Sequence, residues 1–106
     1  MFLKELLEAM GHEVCAVVGE QAEVVAAAAW HAPELMIVDE GLREGSGIAA
    51  VVEIIKTGFV PHIFATGDCF RALAHDPEAI VLQKPYTAQA LSRAIDRALQ
   101  PLGSER

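Results

Sequence analysis

Short apolar runs alternate with helical periods along the whole chain, and no other feature limits the fold as strongly. The runs are His12–Val18 (HEVCAVV), Leu35–Val38 (LMIV), His62–Ala65 (HIFA) and Ile80–Leu82 (IVL). They are short and rich in β-branched or aliphatic residues, and LMIV has no polar position at all. A strand that is apolar at every position is buried on both faces, as in a parallel sheet covered by helices.

The intervening segments read as helices. Phe2, Leu3, Leu6, Leu7 and Met10 fall at helical spacing, and Gly11 stops that helix as a carboxyl-terminal cap does. Gln21–Trp30 is an alanine-rich helix, with Pro33 opening the next loop. Ser46 is placed to cap a helix running to about Thr57 through Ile48, Val51, Val52 and Ile55, closed by Gly58. Cys69–Ala74 is a short helical stretch, and Thr87 caps a final helix over Ala88–Gln100. Strictly alternating strands and helices predict an α/β domain with right-handed crossovers. The expected fold is a flavodoxin-like, doubly wound parallel sheet of about four strands and five helices. Folds of this kind open on a strand, and this chain opens on a helix.

The chain has 106 residues, one domain's length, of which 53% are hydrophobic and 22% charged. It is read as a single domain over 1–106, with Pro101–Arg106 as a frayed tail and no output domain. The net charge is −7, and the eight basic residues are scattered. A nucleic-acid surface requires clustered lysine and arginine, so no direct nucleic-acid contact is expected. No apolar run reaches the roughly 20 residues that span a bilayer, so no membrane association is expected either. Cys15 and Cys69 form no CxxC, which favours a reduced, cytoplasmic protein. His12, His31, His62 and His75 lack zinc-ligand spacing. Trp30 is expected in core or rim packing.

Asp39, Thr66 and Lys84 each stand at or just beyond the carboxyl end of a different expected strand. Open α/β sheets place their ligand site outside those ends. Singly, each residue has a plain reading: Asp as a turn former, Thr as a strand end, Lys-Pro as a loop. Together they suit phosphoryl chemistry. The carboxylate is the nucleophile, the ammonium a point charge for phosphoryl oxygens, and the hydroxyl a donor. Glu40, beside Asp39, is read as solvated.

On these residues the chain resembles the response-regulator receiver family, CheY-like domains of two-component signalling, along nearly its whole length. PELMIVDEGLREGSG resembles the family's acceptor strand and following loop. Asp39 matches the phosphoacceptor, Leu42 the methionine or leucine three residues on, and Gly47 the glycine eight residues on. Thr66 in HIFATG matches the switch hydroxyl. Lys84 in LQKPY matches the invariant lysine, whose bond to Pro85 is cis in the family. Gly11-His12-Glu13-Val14 resembles the passage from the family's first helix to its second strand. Phe64-Ala65-Thr66-Gly67 is similar to a bacterial subgroup of single-domain receivers. Gly41 and Asp68 occupy positions that flank the path of the attacking water.

The resemblance implies phosphorylation of Asp39 by a histidine kinase or phosphotransfer protein and signalling through protein contacts. It implies no enzyme beyond self-catalysed phosphotransfer and dephosphorylation. It also implies Mg²⁺, held here by Asp39 and the backbone carbonyl of Gly41. Three departures stand out. Arg43 replaces a proline, Val81 replaces the switch aromatic, and the first strand with its acidic pair is missing, so that Met1 falls inside the family's first helix. Mg²⁺ requires about six oxygens in octahedral geometry, so its affinity is expected to be weak. A never-phosphorylated interaction module of the same fold is the alternative. A small hydrolase with an aspartyl nucleophile fits poorly, because Gly41 stands where such enzymes carry a second acid. The absent strand would lie mid-sheet, so the chain is expected to close the gap by pairing its flanking strands, or to form a homodimer; otherwise the natural protein is longer and Met1 is internal.

Overall fold

The structure is a computed structural model describing residues 3–39 and 45–100. Its elements are α1 Leu3–Ala9, α2 Gln21–His31, β1 Met36–Asp39, α3 Gly47–Ile55, β2 His62–Thr66, α4 Cys69–His75, β3 Val81–Gln83 and α5 Ala88–Ala98. Gly11, at φ 93°, turns the chain out of α1 so that the His12 N–H reaches the Leu7 carbonyl at 3.0 Å. The hydroxyls of Ser46 and Thr87 accept from Ala49 N and Ala90 N at the starts of α3 and α5. These are the two caps expected from sequence.

The sheet is parallel, in the order β1-β2-β3, with Asp39 opposite Ala65 and Thr66 opposite Gln83. Helices cover both faces, as the apolar strands require. Met36, Val38 and Phe64 pack with Val51, Ile54 and Ala72 on the side of α2, α3 and α4. Ile63 and Leu82 pack with Leu91, Ala94 and Ile95 of α5, flanked by Leu3, Leu6 and Leu7 of α1. Along β1 the two sets alternate residue by residue, because strand side chains point to opposite faces in turn. The flavodoxin-like α/β class therefore holds.

Two expectations are corrected. His12–Val18 is not a strand, so the sheet has three strands among the described residues rather than four. The segment does not close onto β1, and none of residues 13–18 makes a hydrogen bond with a described residue. Strand preference expresses itself only through pairing with a neighbour, and among the described residues no strand pairs with the segment. Trp30 is not packed: it is 84% exposed. Helix α2 turns Val24, Val25 and Ala28 toward the core, and at 3.6 residues per turn position 30 lies on the opposite side.

Candidate functional site

The carboxyl ends of the three strands converge on one corner of the molecule. β1 ends at Asp39, whose carboxylate takes a hydrogen bond and ion pair from Lys84 Nζ. Lys84 follows β3, and its backbone N–H donates to the Thr66 carbonyl at 2.9 Å. That bond extends the β2–β3 ladder by one step and fixes where the lysine leaves the sheet. The Lys84–Pro85 peptide is cis.

Thr66 ends β2, one residue beyond the register partner of Asp39, and is 5% exposed. Its Oγ1 accepts from Asp68 N at 3.0 Å. A hydroxyl has one donor and two acceptor sites, so this bond leaves the proton available to donate. Asp68 caps α4, its carboxylate accepting from Arg71 N at 3.3 Å. That is the plain structural role for a residue that the resemblance also set near the water path.

Lys84 and Asp39 are 42% and 47% exposed. An ion pair this open to water contributes about 0–1 kcal/mol to stability. Its interest is chemical: the ammonium lies against the Asp39 carboxylate at the tip of β1, where an anionic group added to Asp39 would meet it.

Gly47 is explained by close approach. A Cβ there would lie 2.5 Å from the Asp39 carbonyl oxygen and 2.8 Å from Val38 Cγ1. The start of α3 thus presses on the end of β1, which only a residue without a side chain permits. Gln21 was not foreseen. Its Oε1 accepts from Ser46 N at 3.0 Å, tying the first turn of α2 to the cap of α3. Nothing in the sequence distinguishes it from an ordinary helix-opening glutamine.

Glu40, Gly41, Leu42 and Arg43 lie outside the described residues. Among the described residues no three His, Cys, Asp or Glu side chains gather as a metal site. A Mg²⁺ cage of about six oxygens is not formed by Asp39 alone, already engaged by Lys84. Cys15 and Cys69 are both free, and no described helix is long and apolar enough to cross a membrane.

No family model matches the chain. Individual proteins do. The phyllosphere-induced regulator PhyR of Methylorubrum extorquens is 37% identical over 93% of this chain, and the transcriptional regulatory protein PdtaR of Mycobacterium tuberculosis 33% identical over 93%. Among solved structures, the PhyR receiver domain of Erythrobacter litoralis superposes with TM-score 0.84 at 28% identity, covering 98% of this chain and 83% of that one. The NtrX receiver domain of Brucella abortus gives TM-score 0.81 at 26% identity, covering 91% and 85%. The chain is a CheY-like receiver domain. It spans 39% of the PhyR regulator and 50% of PdtaR. Response-regulator receivers are two-component signalling domains.

Proposed function

We propose that this receiver domain accepts a phosphoryl group on Asp39 from a histidine kinase or histidine phosphotransfer protein, and passes the signal on through protein contacts in the cytoplasm. The observation that carries this reading is the Asp39–Lys84 pair at the strand ends, with Thr66 one step beyond the register partner of Asp39. In the transfer, a phosphohistidine P–N bond breaks as a P–O bond forms on the Asp39 carboxylate. The electron pair returns to the imidazole, which takes up a proton. Lys84 exchanges a carboxylate oxygen for phosphoryl oxygens, and Thr66 supplies one further donor. Positioning and charge neutralisation are what a loose phosphoryl-transfer transition state requires of a protein.

Mg²⁺ is proposed as a weakly held partner of Asp39 and the Gly41 carbonyl, with water completing its shell. The lack of an acidic cluster among the described residues favours a second reading, a pseudo-receiver that binds partners without being phosphorylated. Incubation with acetyl phosphate and Mg²⁺, followed by intact mass, separates the two. A single phosphoryl adduct that disappears in Asp39→Asn supports phosphorylation. An adduct persisting in Asp39→Asn overturns the assignment of Asp39. No adduct, together with no beryllofluoride binding at millimolar Mg²⁺, establishes the pseudo-receiver. In Lys84→Met the yield of adduct should fall at least tenfold while the fold stays intact.

A further inference from the structure

β2 and β3 end with side chains on the same face of the sheet. Phe64 and Val81 pack in the layer of α3 and α4. Strand side chains alternate, so Thr66 and Gln83, each two residues further on, point to that layer too. They stand opposite each other in the parallel register. From Thr66 the chain runs through Gly67 and Asp68 and enters α4 at Cys69, whose thiol donates to Gln83 Oε1 at 2.9 Å. The turn Thr66–Cys69 is therefore tied to Gln83 and Lys84 at both ends. At one end the Lys84 N–H donates to the Thr66 carbonyl at 2.9 Å, and at the other the Cys69 thiol meets Gln83. Between the two ties, Asp68 N donates to Thr66 Oγ1 at 3.0 Å. Packing does little for this turn. A Cβ on Gly67 would meet nothing within 4 Å, and α4 buries Ala72 but no residue of its first turn.

We propose that Cys69 and Gln83 are a positioning pair for Thr66. Their bond holds the first turn of α4 where the Asp68 N–H fills an acceptor site of the Thr66 hydroxyl, and so leaves the hydroxyl proton for a phosphoryl group on Asp39. The role rests on the reading of Asp39 as phosphoryl acceptor. Neither side chain belongs to the Asp39–Lys84 ion pair, so the pair acts through Thr66 and not on the reacting atoms. A thiol is a weak donor, and its bonds to oxygen are second-order contacts, so the pair tunes the site and does not build the fold. Its leverage comes from its place. When the thiol lets go of Gln83, the turn opens at the end that packing leaves free. Asp68 N then turns to water, and the hydroxyl of Thr66 rotates without a fixed partner. Such a hydroxyl spends only part of its time donating to phosphoryl oxygens, and positioning is what the transfer requires of the protein.

The test uses the whole chain with Cys69→Ala, Gln83→Leu, the double variant and Cys69→Ser, in which the hydroxyl keeps a donor at the same place. Amide hydrogen exchange at Asp68, read by NMR with no phosphoryl group present, should quicken about threefold in each single variant. The double variant should go no further, since both changes remove one bond. Cys69→Ser should return exchange close to the wild-type rate, and the urea midpoint should stay in place throughout. With acetyl phosphate and Mg²⁺, the initial rate of adduct formation should fall about threefold in the same variants and recover in Cys69→Ser. In a Thr66→Ala background, adding Gln83→Leu should leave that rate unchanged, because the pair acts through the hydroxyl. Unchanged Asp68 exchange in the single variants, or additive effects in the double, would overturn the pair. A further fall in rate in the Thr66→Ala background would overturn its action through Thr66. A wild-type chain that takes up no phosphoryl group defeats the reading of Asp39 instead, and exchange at Asp68 then decides the pair by itself.

Discussion

The two edges of β1 face opposite circumstances. Toward β2 the strand has a full parallel register and buried neighbours on both faces. Toward residues 12–18 it has a cavity and a segment with strand-forming composition that is not a strand. The chemistry-bearing corner is assembled by the paired strands: Asp39, Thr66 and Lys84 are placed by β1, β2 and β3, and of the three only Asp39 also lines the cavity.

That contrast can be broken first where packing is densest. Phe64 is 1% exposed at the centre of β2, and Phe64→Ala should cost about 3–5 kcal/mol in urea unfolding. A loss under 1 kcal/mol would mean that the paired side is looser than its burial indicates. Gly47→Ala sharpens the comparison at the site itself. The added methyl meets the Asp39 carbonyl and Val38, so a loss of about 1–3 kcal/mol is expected, with chemical-shift changes reaching Asp39 and Lys84. On the open flank, Val17 is 72% exposed, and Val17→Ser should shift stability by no more than about 0.5 kcal/mol. A large loss there would reveal that residues 12–18 already have a partner in solution.

The sequence made the paired side legible for a physical reason. LMIV and HIFA are apolar because both of their faces are covered, so composition alone marks them as central strands, and the residues at or just beyond their ends are the ligand-side residues. The capping hydroxyls of Ser46 and Thr87 were readable because a cap is a local bond, three residues long. HEVCAVV misled because its residues report a preference, whereas a strand is a relation between two segments. Trp30 misled because an alanine-rich helix gives little sign of which side faces inward; Val24, Val25 and Ala28 decide it only once the sheet is in place. Gln21 was illegible because its bond joins residues 25 positions apart.

That bond has a mechanical consequence. Residues 40–45 run from Asp39, fixed in the sheet, to Ser46, moored by Gln21 to the first turn of α2. Any shift of the α3 cap is therefore passed on as a pull on the start of α2, a helix that contributes no side chain to the site.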